Sequence, residues 1–177
     1  VLIRNLGKSA ALMAGFGQAR GDVIVTIDAD LQDRPEDIPA LVSKLREGYG
    51  LISGWRQSRC YTLFRRLGSR LYNAVVRRVS GLDIHDMNSG IKAINQDVIR
   101  TIRVYGDFHR YIPLLTDLAG HRVSEVAVTN DPRRYGESKY AAFRYQGLFD
   151  LVTILFTHYY MHRPLHFFAK ASAVFLI

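Results

Sequence analysis

Apolar residues repeat at helical spacing in some segments of the chain and form short continuous runs in others. The two kinds of segment alternate along the sequence. Apolar positions three and four residues apart, with stops at Gly21 and Gly48, predict two helices in the first fifty residues. Short apolar runs between helices predict strands. The predicted helices span residues 8–20, 35–47, 62–79, 108–118 and 140–161, and the predicted strands span 23–27, 49–53, 91–94 and 122–128. This alternation is typical of a layered α/β sheet.

The two ends of the chain carry apolar segments that begin or stop abruptly. Residues 1–3 have the character of a strand already under way, and the apolar stretch 165–177 stops at once, so we expect a fragment cut at both ends. A helix needs about 20 residues to cross ~30 Å of hydrocarbon, and this stretch is shorter. We interpret it as a truncated transmembrane helix, with a buried core helix as the alternative. The predicted organisation is an α/β domain at 1–139, an amphipathic interfacial helix at 140–163 and the start of a membrane helix at 164–177.

The charge balance narrows the classes of partner. The 177 residues include 24 Lys and Arg against 16 Asp and Glu, a formal net charge of +8. Such an excess favours nucleic acid, an anionic membrane or a phosphate-bearing substrate. The sequence has no helix-turn-helix, zinc-finger or aromatic RNA-binding signature, so we expect no nucleic-acid partner. The single cysteine, Cys60, excludes an internal disulfide and a thiolate metal cluster.

The most informative segment is an acidic turn that follows the predicted strand 23–27. We interpret that strand as buried and parallel, and open α/β sheets bind ligands beyond the carboxyl ends of such strands. Asp28, Asp30 and Gln32 in this turn supply the oxygen ligands that Mg²⁺ and Mn²⁺ prefer, and substrate phosphates commonly complete such a site. A solvated turn with one carboxylate as a helix N-cap is the alternative. The sequence therefore predicts metal-assisted handling of a phosphorylated substrate.

Polar and basic residues just before the first helix predict a nucleotide contact. Asn5 is suited to a base or a ribose, and Lys8 is suited to a phosphate. The alternative is a loop in which Ser9 caps the helix. A phosphate loop of the G-x-x-x-x-G-K-[ST] type is excluded because its first glycine is absent.

A second basic segment is the polar loop 133–139. It is either an ordinary exposed loop or a lid whose Arg and Lys side chains neutralise a diphosphate leaving group. Arg56 and Arg70 are likewise open to more than one interpretation, since basic side chains bind anionic lipids as well as substrate phosphates.

Six short segments stand in a family-specific order along nearly the whole chain. They are Arg4-Asn5-x-Gly7-Lys8-Ser9-x-Ala11-Leu12, Asp28-Ala29-Asp30-Leu31-Gln32-Asp33-x-Pro35-Glu36, Ser53-Gly54-Trp55-Arg56, Asn88-Ser89-Gly90-x-Lys92, His109-Arg110-Tyr111-Ile112-Pro113 and Arg133-Arg134-Tyr135-Gly136-Glu137-Ser138-Lys139-Tyr140. In this order they resemble membrane-associated family 2 glycosyltransferases of the polyprenyl-phosphate sugar synthase type, typified by dolichol-phosphate mannose synthase.

The resemblance implies a GT-A type nucleotide-diphospho-sugar transferase fold, a Rossmann-like mixed sheet flanked by helices, here N-terminally truncated. Residues 1–139 would be the catalytic domain. The implied activity is metal-dependent, inverting transfer of a sugar from GDP-mannose or a UDP-sugar to dolichyl or undecaprenyl phosphate. The implied location is a membrane, with the active site on the cytoplasmic face. A homo-oligomer is possible, and the resemblance does not decide the oligomeric state.

The resemblance also implies roles for single residues. Asp28, Asp30 and Gln32 would hold Mg²⁺ or Mn²⁺, and Asp28 would also contact the donor. The remaining substrate contacts would come from Asn5, Lys8, Arg56, Arg70, Arg134 and Ser138. Catalysis itself would rest on Asp30, Arg133 and Lys139, which stabilise the departing diphosphate.

Two other classes of function stay open from the residues alone. An aspartate-nucleophile phosphatase also carries D-x-D after a strand, but it commonly has Thr or Val where Gln32 stands. A basic membrane-binding module without turnover would explain the charge and the apolar end. A processive polysaccharide synthase is disfavoured because no Gln-x-x-Arg-Trp segment is present.

Overall fold

The computed structural model describes residues 3–57, 63–132 and 145–161, with 164–165, 168–169 and 172. The helices are α1 Lys8–Gln18, α2 Ile38–Leu45, α3 Leu63–Ser80, α4 Gln96–Thr101, α5 Ile112–Leu118 and α6 Tyr145–Tyr160. The strands are β1 Val23–Thr26, β2 Leu51–Arg56, β3 Lys92–Asn95 and β4 Val123–Val128. Turns of 3₁₀ helix at Pro35–Asp37 and Phe108–Tyr111 lead into α2 and α5. The expected mixture of helices and strands is confirmed.

The chain forms two compact units, Val1–Phe143 and Arg144–Ile177. The sheet belongs to the first unit, and α6 belongs to the second. No helix within the described ranges is both long and apolar enough to cross a membrane. The membrane segment predicted at 164–177 lies largely outside the described residues.

The sheet of the first unit is mixed, with the strand order β1-β3-β2-β4. β3 runs antiparallel to both β1 and β2, and β2 runs parallel to β4. β1, β2 and β4 therefore share one direction, and their carboxyl ends meet the start of β3 at a single edge of the sheet. We call this the carboxyl edge.

The hydrophobic core lies where α2 packs on the sheet. Leu41 and Leu45 of α2 are fully buried against Ile52, Ala93 and Val128. Burying one such leucine stabilises the fold by about 1.5–3 kcal/mol relative to leaving it exposed. This packing fixes the sheet from which the polar side chains of the carboxyl edge project.

The expectation of a buried, parallel strand at 23–27 is wrong. β1 is only half-buried along its length, and it pairs antiparallel with β3 in the register Val23–Asn95 to Thr26–Lys92. An apolar run reports burial tendency and carries no information on the direction of its neighbour. Long-range pairing inserts β3, with reversed direction, between β1 and β2.

Two smaller differences also separate sequence and structure. The strand expected at residues 1–3 is not seen at Ile3, which lies in a bend and is fully exposed, while residues 1 and 2 lie outside the described residues. The short helix α4 was not predicted. It follows β3 directly and leaves too few residues for a periodic apolar pattern.

Candidate active site

The acidic turn after β1 is held in a strained, well-anchored conformation. Leu31 has φ of 59°, a left-handed conformation that costs a non-glycine residue about 1–2 kcal/mol. The backbone N–H of Gln32 lies 3.3 Å from Asp30 Oδ1 and donates to it. The carbonyl of Gln32 accepts hydrogen bonds from the Asp131 N–H at 2.8 Å and from Asn130 Nδ2 at 3.2 Å. The segment after β4 therefore fixes the turn at the carboxyl edge.

Asp28 is paired with a cation from the start of α1. Lys8 Nζ donates to Asp28 Oδ1 at 2.6 Å, and both side chains are partly exposed. Burial raises the pKa of the Asp28 carboxyl, but the hydrogen bond and charge of Lys8, with the charges of Lys92 and Arg56, outweigh it and leave the pKa below its ordinary value. Asp28 is therefore a carboxylate near neutral pH, as a metal ligand must be.

Asp28 and a second carboxylate, Asp33, converge beneath Gly90 in the turn that leads into β3. A Cβ built on Gly90 would lie 2.4 Å from Asp28 Oδ2 and 2.7 Å from Asp33 Oδ2. The carbonyl of Gly90 accepts a hydrogen bond from Thr26 Oγ1 at 3.0 Å, so the glycine is tied to β1. Only glycine leaves room for both carboxylates at this point.

Asp33 is the most deeply buried of these acids, with 6% exposure. Its Oδ1 accepts a hydrogen bond from Asn130 Nδ2 at 3.3 Å, and its Oδ2 is buried without a hydrogen-bond partner among the described residues. Burial raises the pKa of the Asp33 carboxyl. The charge of Arg56 opposes the rise, and the charges of Asp28 and Asp30 add to it. An uncompensated buried carboxylate oxygen is costly, and a native site that contains one calls for an explanation.

Arg56, at the end of β2, forms an ion pair with the buried carboxylate of Asp86. Its Nε donates to Asp86 Oδ2 at 2.7 Å and its Nη2 to Asp86 Oδ1 at 3.3 Å, while Nη2 also donates to the carbonyl of Asn88 at 2.8 Å. The two side chains are 13% and 2% exposed. This fork fixes the plane of the guanidinium at the carboxyl edge.

The loop that carries Asp86 is also held from the sheet. The N–H of His85 donates to Glu125 Oε2 of β4 at 2.8 Å, and His85 Nδ1 contacts Glu125 Oε1. The His85 ring stacks on Trp55 with 4.4 Å between centroids. Asp86 is therefore positioned through its neighbour as well as through Arg56.

Lys92 brings a further buried cation to the site. The first residue of β3, it is 3% exposed, and its Nζ donates to the carbonyl of Ser89. Burial lowers the pKa of Lys92 to about 8, the nearby charge of Lys8 adds to the effect, and Asp86 opposes it. Lys92 therefore remains largely an ammonium at neutral pH and contributes positive charge beside the carboxylates.

A histidine packs against the start of α1. Ser9 Oγ lies 3.2 Å from His109 Nδ1 and accepts the backbone N–H of His109 at 3.2 Å. The pKa of His109 is lowered to about 4, chiefly by burial; the charges of Arg110 and Lys8 add to the lowering, and the charge of Asp107 opposes it. His109 is therefore neutral across the physiological range.

The structure brings several predicted site residues to one edge and leaves others outside its description. Asp28, Asp30, Gln32, Arg56 and Lys8 all stand at or beside the carboxyl edge. Asn5 Oδ1 accepts the N–H of Gly7 at 3.0 Å, ahead of α1. Arg70 lies within α3. The predicted residues Arg133, Arg134, Ser138 and Lys139 lie outside the described residues. The roles of all these residues stay predictions.

Three residues of the site received no ligand role from the sequence: Asp33, Asp86 and Lys92. Asp33 has the appearance of an acid ahead of a helix, and Lys92 opens an otherwise apolar strand. The signal that points to each is its burial, which only the fold reveals.

The carboxyl edge is suited to a divalent cation. Among the described residues, no three His, Cys, Asp or Glu side chains already surround one point as a complete metal site. Mg²⁺ and Mn²⁺ are commonly held by one or two carboxylates, with substrate phosphates and waters completing the shell. Asp28 fits such a half-open centre, and so does the buried Oδ2 of Asp33, which has no hydrogen-bond partner within the described ranges.

Comparison with known proteins assigns the family. The family model for glycosyl transferase family 2 matches residues 1–103. The chain belongs to this family. The family predicted from the six segments is thereby confirmed, and an aspartate-nucleophile phosphatase is disfavoured.

The names of two relatives both contain a polyprenyl phosphate. The chain is 38% identical to a dodecaprenyl-phosphate galacturonate synthase of Rhizobium johnstonii, over 96% of this chain and 52% of that protein. It is 39% identical to an undecaprenyl-phosphate 4-deoxy-4-formamido-L-arabinose transferase of Pseudomonas paraeruginosa, over 89% of this chain and 47% of that protein. The chain spans about half the length of these curated relatives.

Solved structures agree on the fold. Glucosyl-3-phosphoglycerate synthase from Mycobacterium tuberculosis in complex with phosphoglyceric acid matches with a TM-score of 0.55 and 25% identity, over 77% of this chain and 50% of that chain. The same enzyme in complex with Mn²⁺, UDP-glucose and phosphoglyceric acid matches with a TM-score of 0.55 and 24% identity over the same shares. The predicted GT-A type mixed α/β fold is confirmed.

Proposed function

We propose that this glycosyl transferase family 2 protein transfers a sugar from a nucleotide-diphospho-sugar to a polyprenyl phosphate, with inversion and with a divalent cation. The names of the two relatives support the lipid acceptor. The observation that carries the proposal is the carboxyl edge, where Asp28 and Asp33 converge beside the cations Lys8 and Arg56. Such a mixture of acids and bases suits a metal and the phosphates that it bridges.

In this proposal, Asp28, Asp30 and Gln32 hold Mg²⁺ or Mn²⁺. The cation would neutralise charge on the departing nucleotide diphosphate. The solved complex of the M. tuberculosis enzyme, which shares this fold, contains Mn²⁺ together with UDP-glucose, the combination that we propose for this chain. Gln32 Nε2 donates to the carbonyl of Asp131 at 3.2 Å, and the amide oxygen is the side-chain atom that would bind the metal.

The basic residues would bind phosphate groups of both substrates. Arg56 is preorganised by Asp86 and Asn88, so little side-chain entropy is lost when it meets a phosphate. Lys8, which pairs with Asp28 Oδ1 at 2.6 Å, would contact the donor diphosphate with its remaining ammonium hydrogens. Arg70 would contact the acceptor phosphate, and Arg133, Ser138 and Lys139 would close over the donor.

No general base is required in this reaction. A lipid phosphate is already ionised near neutral pH, so its oxygen can attack the anomeric carbon directly. The main need is stabilisation of the leaving diphosphate, which the cation and the basic side chains supply. The proposed location is the cytoplasmic face of a membrane, where the lipid phosphate is presented to the carboxyl edge.

A transfer assay tests the proposal. The full-length protein in membranes receives Mg²⁺ or Mn²⁺ and a panel of labelled GDP- and UDP-sugars, and label in the lipid phase is counted. We expect transfer that EDTA abolishes and that Asp30→Ala lowers by at least ~10², the loss typical of a major electrostatic stabiliser. Asp97→Ala, which changes an exposed acid on α4, is the matched control and should leave the rate unchanged. Undiminished transfer in chelator would contradict the metal role.

A further inference from the structure

We propose that Asp33 is a direct ligand of the divalent cation, alongside Asp28. The inference rests on the proposed function, because it concerns the same metal. It adds a carboxylate that lies outside the acidic pair Asp28 and Asp30 and that no motif assigns to the metal.

The first support is the position of the two inward-facing oxygens. Asp28 Oδ2 and Asp33 Oδ2 both lie within 2.7 Å of the point that a Cβ on Gly90 would occupy. The opposite oxygens are engaged elsewhere, Asp28 Oδ1 by Lys8 and Asp33 Oδ1 by Asn130. Each carboxylate therefore has one anchored oxygen and a second oxygen packed close to Gly90, and the two second oxygens are near enough to each other for one cation to take both as monodentate ligands.

The second support is the cost of this arrangement without a cation. Asp33 is 94% buried, and its Oδ2 has no hydrogen-bond partner among the described residues. Asp28 and Asp30 both place negative charge near it. Burying a charged oxygen beside like charges is strongly unfavourable unless something positive completes the site. A bound cation satisfies this oxygen and offsets the repulsion.

The third support is access. The Asp28 side chain is 35% exposed and Asp33 is 6% exposed. In this proposal the cation would therefore enter on the Asp28 side, and Asp33 would form the floor of the site. The anchors of Asp33 are rigid, because the turn after β1 and the segment after β4 are joined by the Asp131 N–H bond to the Gln32 carbonyl at 2.8 Å. A floor ligand of this kind is preorganised.

The competing explanation is a proton shared between Asp28 and Asp33, with no metal contact at Asp33. Binding of Mn²⁺ alone, measured by the loss of the free Mn²⁺ electron paramagnetic resonance signal, separates the two. Asp33→Asn keeps the shape of the side chain and should weaken Mn²⁺ binding by at least about 10-fold. Asp37→Asn is the matched control, because Asp37 Oδ2 also anchors the segment after β4, through the Thr129 N–H at 2.9 Å, and should leave Mn²⁺ affinity unchanged.

A second variant distinguishes a ligand from a residue that merely supports one. Asp33→Cys introduces a soft thiolate, so Cd²⁺ bound at the site should produce a thiolate-to-metal charge-transfer band above that of the wild-type protein, which already contains Cys60. The band is expected only if residue 33 touches the metal. The unfolding temperature of each variant without metal reports whether it folds.

The outcomes are decisive in both directions. Weaker Mn²⁺ binding in Asp33→Asn, unchanged binding in Asp37→Asn and a Cd²⁺ band in Asp33→Cys support the ligand. Wild-type Mn²⁺ affinity in Asp33→Asn overturns it, as does a folded Asp33→Cys variant without the band. Failure of the wild-type protein to bind Mn²⁺ also overturns it, and the chelator arm of the transfer assay then shows separately whether the proposed function survives.

Discussion

The two ends of strand β2 differ in chemical character: the first is apolar and the second is charged. At its start, Leu51 and Ile52 are fully buried, and Ile52 packs with Leu41 and Leu45 of α2. At its end, Arg56 forms an ion pair with the buried carboxylate of Asp86. The first end stabilises the fold by removing apolar surface from water, whereas the second holds charges that are expensive to bury.

The contrast between the two ends shows where the protein accepts a loss of stability for the sake of its site. The carboxyl edge contains a non-glycine residue with positive φ, Leu31, and a buried oxygen of Asp33 that has no hydrogen-bond partner in the part of the chain that the structure describes. Backbone strain and unsatisfied polar atoms concentrate at functional sites when the surrounding structure is able to hold them. The core around α2 provides that support here.

The largest effect on stability should come from removing one partner of the ion pair. Asp86→Ala removes the buried carboxylate from the largely covered Arg56 guanidinium, which should cost about 3–5 kcal/mol in the free energy of unfolding. Leu41→Ala, at the opposite end, should cost about 2–5 kcal/mol by opening a cavity. Urea unfolding monitored by circular dichroism measures both.

The double variant Arg56→Met with Asp86→Leu separates the cost of leaving one charge without its partner from the cost of desolvating both charges. Apolar residues of similar volume should recover much of the lost stability, because the desolvation cost of both charges disappears. Sugar transfer should nevertheless stay low, since the guanidinium is absent. A cost below about 1 kcal/mol for Asp86→Ala would mean that the pair is effectively solvated, as exposed pairs are.

The next effect separates two glycines in equally tight surroundings. A Cβ on Gly54 would meet Ile91 Cγ2 at 2.5 Å, an apolar contact, whereas a Cβ on Gly90 would meet the carboxylates of Asp28 and Asp33. Each Gly→Ala change should cost about 1–3 kcal/mol by overpacking. Only Gly90→Ala should also weaken Mn²⁺ binding, because its methyl group displaces the oxygens. Equal Mn²⁺ affinity in both variants would contradict the position that we give to the metal.

The sequence predicted most of the elements and part of the site. Helical periodicity and the flanking glycines located α1, α2 and α3 to within a few residues, because these signals are local. The direction of β1 could not be obtained in this way, since its partner β3 lies about seventy residues further along the chain. Asp28 stood out because it follows an apolar run, but Asp33 owes its role to burial beneath Gly90, a contact between distant segments.

The smallest effect concerns proton binding at His109, beside the carboxyl edge. Ser9 Oγ accepts the backbone N–H of His109, and its hydroxyl proton can be donated to Nδ1 when that ring nitrogen is unprotonated. This arrangement agrees with burial lowering the pKa of His109 from 6.5 to about 4. Below pH 6.5 the His109 ring of the unfolded chain binds a proton, whereas the ring in the folded protein binds one only near pH 4. The free energy of unfolding should therefore fall as the pH is lowered through this window.

Titration of the His109 ring protons by NMR measures this pKa directly. Ser9→Ala removes the hydroxyl that donates to the neutral ring, so the midpoint should move upward towards 6.5 and the fall in stability should become shallower. A wild-type midpoint at or above 6.5 would show that the ring is solvated and that the α1 contact does not hold it neutral. A low midpoint would mean that His109 adds no positive charge to the carboxyl edge, so the positive potential there comes from Lys8, Arg56 and Lys92 alone among the groups that we place at this site.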